Sequence, residues 1–185
     1  MRPGMLRWSL ALAALGCRPD AEHPPSGAGD DHRPPSGVPP SPWTVRLDGI
    51  GPILYGMDAS DARAALGDTL GDPTPADGCL WLVPAGVPPG LRFMVESGKI
   101  ARVDVDSAGL RTQAGDEVGM SESDLRARYP RAEVRPHKYD TAGRYVIVPD
   151  STEPTRRLVF ETDGQRVVRY RAGVVPSVDY VEGCS

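Results

Sequence analysis

The chain has 185 residues, of which 39% are hydrophobic, 25% charged and only 6% aromatic, with 20 prolines and 21 glycines. That length holds one ordinary domain or two small ones, and so much Pro and Gly implies many turns, a disordered segment or both. A formal charge of −4 and a pI near 5.4 argue against a nucleic-acid binder, which needs clustered basic residues to meet phosphates.

Residues 1–17 read MRPGMLRWSLALAALGC, with Arg2 and Arg7 ahead of the apolar run Trp8 to Leu15, broken only by Ser9. Crossing about 30 Å of hydrocarbon takes about 20 apolar residues, so this run is predicted to be a secretory signal that is removed. Its end, Ala14-Leu15-Gly16-Cys17, resembles the lipobox of bacterial lipoproteins, although Ala14 stands where that family usually carries Leu. The resemblance implies a diacylated Cys17 as the new N-terminus, held on a bilayer by acyl chains worth about 0.8 kcal/mol per buried CH₂. Cleavage removes two arginines and no acid, which moves the net charge from −4 to −6. Arg18 rather than Asp follows the cysteine, and the enterobacterial sorting pattern then implies the outer membrane.

From Arg18 to Pro42 the chain carries eight prolines and three glycines and has almost nothing apolar to bury. It is expected to be a disordered, Pro-rich tether that reaches roughly 75 Å at about 3.1 Å per residue. The PPSG copies at Pro24 and Pro34 read as low-complexity drift or as a polyproline ligand. His23 and His32 lie here too, where a preformed metal site is not expected.

The remainder shows self-similarity. Gly56-Met57-Asp58-Ala59-Ser60-Asp61-Ala62-Arg63-Ala64 matches Gly119-Met120-Ser121-Glu122-Ser123-Asp124-Leu125-Arg126-Ala127, with Gly, Met, Ser, Asp, Arg and Ala identical. Further matches keep the same order: Trp81 to Pro84 with Val146 to Pro149, then Leu91, Phe93, Ile100 and Arg102 with Leu158, Phe160, Val167 and Arg169. These matches predict two tandem units, residues 43–111 and 112–185. In each, a helix is capped by Asp58 or Ser121, carries Asp61 or Asp124 at its third position, and stops at Gly67 or Pro130. Three antiparallel strands are predicted to follow each helix: Cys79 to Val83, Gly90 to Val95 and Lys99 to Val105, then Arg144 to Val148, Arg157 to Thr162 and Gln165 to Arg171. Ser97-Gly98 and Asp163-Gly164 supply hairpin turns. The fold class expected is α+β, with both helices on one face of a combined curved sheet.

Alternation sorts the strand residues. Leu91, Phe93, Val95, Leu158, Phe160 and Thr162 are expected on one side, with Arg92, Met94, Glu96, Val159 and Glu161 on the other. Ala101, Val103, Val105, Val168, Tyr170 and Ala172 are expected inward, leaving Arg102, Asp104, Asp106, Arg169 and Arg171 facing out. Units this small bury only about 60% of their unfolded surface, so packing one on the other is needed. Cys79 and Cys184 are the thiols left once Cys17 is acylated. In an oxidising compartment they are expected to join, which would staple a C-terminal strand, Ser177 to Val181, onto the first unit; two separate buried thiols is the alternative.

A repeated helix followed by antiparallel strands, opened by Gly-Met and a capped turn, resembles the β-lactamase inhibitor protein fold. That fold is shared in single copy by the small lipoprotein of the outer-membrane β-barrel assembly machinery. The resemblance covers about residues 45 to 184 and implies a concave sheet that grips a protein. It departs where each repeat of the inhibitor carries its own disulfide, whereas here one Cys falls in each repeat, and no contact residue can be matched.

Signals of catalysis are sparse. The folded part has one histidine, His137, and lacks GxSxG, CxxC, HExxH and a glycine-rich phosphate loop, so an enzyme, a metal or a cofactor is not expected. Asp104 and Asp106 share a strand face as paired carboxylates or solvated acids, and Asp68, Asp72 and Asp77 fit turns. The outward face carries the residue types that anchor interfaces: Trp81, Met94, Arg102, Asp104, Tyr145, Arg169 and Arg171. Mere hydration of these charges is the other reading. The function expected is a monomeric, lipid-anchored envelope module presenting an open sheet face to a protein partner, as an inhibitor or as an accessory in envelope assembly.

Overall fold

The computed structural model describes residues 41–67 and 78–184. The predicted signal and Cys17, His23 and His32 of the tether, and the turn acids Asp68, Asp72 and Asp77 lie outside the described residues. Two short strands, β1 (Gly49–Ile50) and β2 (Ile53–Leu54), pair antiparallel at the start. Helix α1 (Ala59–Ala65) follows, then β3 (Cys79–Leu82), β4 (Leu91–Glu96) and β5 (Lys99–Val105). Helix α2 (Glu122–Arg128) precedes β6 (Glu133–Pro136), β7 (Arg144–Pro149), β8 (Arg156–Thr162) and β9 (Val167–Val174), and a 3₁₀ turn occupies Ser177–Asp179.

The expected α+β pair of units, each one helix plus a three-stranded sheet, is not what forms. Among the described residues the protein is mostly β, with two seven-residue helices beside a seven-stranded antiparallel sheet ordered β3-β4-β5-β9-β8-β7-β6. The first half supplies three of these strands and the second four. β5 pairs directly with β9, Val103 opposite Ala172, so the sheet runs unbroken through the expected boundary. The reasons are local. Glu-Val-Arg-Pro of β6 is only four residues, exposed throughout and ended by proline, so its brief alternation is too short a signal to mark a strand. The predicted terminal strand from Ser177 is instead the short 3₁₀ turn, with Val178 buried and Val175 and Val181 on either side of the turn packed against the same cluster.

Gly56 and Gly119 both take positive φ, +88° and +96°, which glycine tolerates without a Cβ penalty. Each leads the chain onto the closing strand of a hairpin. The Gly56 N–H donates to Ile100 O and the Ile100 N–H to Met57 O (2.8 and 2.9 Å); the Gly119 N–H donates to Val167 O and the Val167 N–H to Met120 O at the same distances. The caps differ. The Ser121 hydroxyl accepts the Asp124 N–H at 3.1 Å, whereas Asp58 makes no side-chain cap and holds Lys99 Nζ at 3.0 Å instead.

Both long hairpins carry a bulge. The register steps from Met94–Arg102 to Val95–Ile100, and from Glu161–Arg169 to Thr162–Val167, leaving Ala101 and Val168 as the extra residues. The step puts Ile100 and Val167 in the core and leaves Val168, expected inward, exposed. Leu91, Phe93, Val95, Leu158 and Phe160 face the main core as alternation predicts, against Ala59 and Ala62 of α1, Leu125 of α2, and Val45, Ile50 and Ile53. Tyr129, Phe160 and Tyr170 stack across it with ring centroids 6.1 and 5.6 Å apart. The Tyr170 hydroxyl donates to Leu110 O at 3.0 Å, and burial holds its ionisation well above the usual range.

The unequal caps give a measurable contrast. Ser121→Ala is expected to lower unfolding free energy by about 1 kcal/mol, and Asp58→Ala, which loses only an exposed ion pair, by about 0.5 kcal/mol or less, both read from urea denaturation.

Candidate functional site

The pairing register places the outward residues in rows across the sheet. Trp81, Met94, Arg102, Gly173 and Arg157 form one row; Arg92, Asp104, Arg171, Val159 and Ile147 form the next; Arg169, Glu161 and Tyr145 form a third. The expected outward face therefore exists, but it is not open. Beyond β9, residues 175–184 cross back over it, and the Cys79–Cys184 disulfide ties their end to β3 with the Cα atoms 5.3 Å apart. Arg102, Asp104 and Arg171 are only 2%, 7% and 4% exposed. Met94 and Tyr145 are buried as well and Trp81 is half-buried, so Arg169 alone of the seven expected contact residues is exposed.

A buried charge must find partners, and this face supplies them. Arg102 grips Asp104 with two prongs, Nε to Oδ2 at 2.8 Å and Nη2 to Oδ1 at 3.1 Å. Its Nη1 donates to the carbonyls of Ser177 and Tyr180 at 2.9 and 2.6 Å. Burial pushes the Arg102 guanidinium down and the Asp104 carboxyl up from their ordinary pKa values, and their mutual attraction opposes both shifts. Arg171 donates from Nη1 to Glu161 and from Nε to Val178 O. Glu161 also meets Arg169 Nε and His137 Nε2, each at 3.4 Å.

His137 is held rather than free. Its Nδ1 accepts the N–H groups of Tyr139 and Asp140 at 3.2 and 3.0 Å, which places a proton on Nε2 for Glu161, and its ring stacks on Tyr145 at 4.7 Å. Val178 fills a small second core with Tyr145, Ile147 and Val159. Outside that core, Asp179 meets Arg157 at 3.3 Å, the Ser177 hydroxyl donates to Glu96, and Glu182 takes Lys138 and the Tyr139 hydroxyl. Two glycines make room: a Cβ on Gly173 would lie 2.4 Å from that of Arg102, and one on Gly183 would lie 2.5 Å from the Trp81 indole.

Both oxygens of Asp104 are engaged by Arg102, while Asp106 is exposed and accepts the Ser107 hydroxyl at 3.3 Å, so the two aspartates do not act as a pair. Among the described residues no group of three or more His, Cys, Asp or Glu is placed to hold a metal ion, and no helix is long and apolar enough to cross a membrane. Alternation put Glu96 and Glu161 on this face and the disulfide was expected to staple Ser177 to Val181 onto the first unit, but the contacts of Glu96, Arg157 and Glu161 and the covering of the face by that segment were not foreseen. The triplet spacing of Val175, Val178 and Val181, ahead of a cysteine with a distant partner, was the available signal.

The chain matches no family model and no curated protein. Among solved structures it is similar to an extracellular protein containing an SCP domain from Bacillus anthracis str. Ames, at 14% identity and a TM-score of 0.47. The match covers 77% of this chain and 50% of that one, so the chain spans about half that protein's length. At that score the likeness bears on neither fold nor function.

Removing one member of a buried pair strands the other. Arg102→Met is expected to cost about 3–5 kcal/mol at neutral pH. Asp104, whose carboxyl is already raised, rises further without its cation, so the native state binds a proton that the unfolded state does not. Stability of this variant should therefore fall as pH rises through the window above the ordinary Asp value, as urea titrations at several pH values would show.

Proposed function

We propose that the protein is an exported, lipid-anchored module of the bacterial cell envelope, in the outer membrane, that binds a protein partner rather than transforming a small molecule. The observation that carries this reading is the Cys79–Cys184 disulfide, which spans 105 residues and pins the end of the chain across the sheet. Such bonds persist in oxidising compartments and are rare in the cytosol. The signal-like and lipobox-like start supports anchoring at Cys17, and the Pro-rich segment after it supports reach from the membrane.

The side chains with catalytic potential are occupied. His137, Glu161, Asp104, Arg102 and Arg171 hold one another and the carbonyls of the C-terminal segment, as groups that stiffen a binding scaffold do. With the sheet face covered, the partner surface lies at its margins. There Tyr139, Tyr180 and Arg169 are exposed, and Tyr and Arg are the types that anchor interfaces.

Cys17→Ser is expected to move the protein from the membrane fraction to the soluble extracytoplasmic fraction, read by fractionation and by loss of fatty-acid labelling. Crosslinking in living cells then sorts the partner: capture of one soluble enzyme supports an inhibitor, and capture of barrel-assembly components supports an accessory of envelope assembly. A defined small-molecule turnover abolished by His137→Ala would overturn the binding reading.

A further inference from the structure

We propose that residues 175–184 are a releasable strap, held shut by the Cys79–Cys184 bond over a cationic face, and that this face takes an acidic peptide segment once the bond is reduced. The inference rests on the covered face and not on the identity of any envelope partner.

Charge is the first support. The face carries Arg92, Arg102, Arg157, Arg169 and Arg171 against Glu96, Asp104 and Glu161, while the strap carries Asp179 and Glu182 and no basic residue. Asp179 sits 3.3 Å from Arg157. An acidic segment on a surplus of guanidinium groups is how a bound peptide is held.

The second support is how the strap is attached. The Val175 N–H donates to Thr155 O at 2.8 Å, but beyond it no strap residue joins the sheet's backbone ladder. Arg102 and Arg171 hold the strap through the carbonyls of Ser177, Tyr180 and Val178, groups that every peptide has. Beyond Val175 the strap can leave without breaking a backbone bond to the sheet, and a foreign segment can meet the same donors.

The third support is unmet demand. The Nε atoms of Arg92 and Arg157 are buried without a hydrogen-bond partner, and the Arg92 guanidinium lies over the Trp81 ring at 4.6 Å. A ligand with one more acceptor would satisfy a donor that the strap leaves unpaired. Cys79 is exposed, so a reductant can reach the bond.

The chemistry is thiol–disulfide exchange with a dithiol reductant. One thiolate of the dithiol attacks the protein disulfide and forms a mixed disulfide, releasing one protein thiolate. Its second thiolate then displaces the other. Two electrons and two protons pass to the protein, giving the thiols of Cys79 and Cys184, and the dithiol leaves as a cyclic disulfide. The strap keeps its tether at Val174 and loses the one at Cys184, so its effective concentration over the face falls.

The test is hydrogen exchange by mass spectrometry on the full chain, oxidised and after dithiol treatment, with Cys79→Ser/Cys184→Ser as a version free of reductant. Amides of residues 177–182 should exchange about tenfold faster or more on reduction, while those of β4, β5, β8 and β9 keep their protection. A labelled peptide of sequence 175–183 should bind the reduced chain about tenfold more tightly than the oxidised one, and Arg157→Glu should abolish the gain. If strap and sheet amides accelerate together, the bond braces the whole fold and the proposal fails. Unchanged strap exchange overturns it too, and a freed strap with no peptide binding overturns the ligand half. Should the double serine variant not fold, the reduced wild-type chain gives the same readout.

Discussion

A guanidinium taken out of water must have its donors met and its charge answered, and the architecture is arranged around two of them. Arg102 and Arg171 sit on neighbouring central strands, β5 and β9, which is where the two halves of the sheet join. Neither can be satisfied by the sheet alone. Asp104 and Glu161 answer the charge, and the remaining donors need oxygens from above the face. The carbonyls of Ser177, Val178 and Tyr180 supply them. The chain's return over its own sheet is thus a condition for burying those two side chains, and the disulfide keeps that condition met.

The same need explains details that look unrelated. Gly173 has to be glycine where Arg102 passes, and Gly183 where the strap meets Trp81. Val178 enters a second core that exists only because the strap is there. On the opposite face the helices and the first two strands lie on an apolar surface with ordinary alternation. The buried Asp116 ties the loop before α2 to that helix, accepting from Arg128 and from the Tyr129 hydroxyl, each at 2.6 Å. One face is held by apolar packing and the other mainly by paired charge.

How much of this could be read from the chain divides along physical lines. Lys99–Val105 is the strand that alternation predicts, Ser97-Gly98 turns with both φ angles positive, Ser121 caps its helix, and the cysteine pair is joined. The strand, the turn and the cap depend on neighbours in sequence; the disulfide, whose cysteines stand 105 residues apart, was legible from the cysteine count instead. The Gly-Met match located two identical lead-ins to hairpins, but a shared lead-in does not set how many strands follow, and the four-residue, fully exposed β6 made the halves unequal. The candidate site was legible only in part. Alternation says on which side of a sheet Arg102, Asp104 and Arg171 lie, but not what lies over them. A side-chain period of two carries no information about a third layer contributed by residues some 75 positions away, as Ser177 is from Arg102.

The outermost strand at the far end, β6, has all four residues exposed. Its two charged side chains, Glu133 and Arg135, pair with each other at 2.6 Å, and Pro136 brings no N–H to the edge. Such an edge is a poor template for lateral growth. Copies that meet at this rim would not template one another into fibrils. The plainest-looking segment of the chain thereby acts as a bumper.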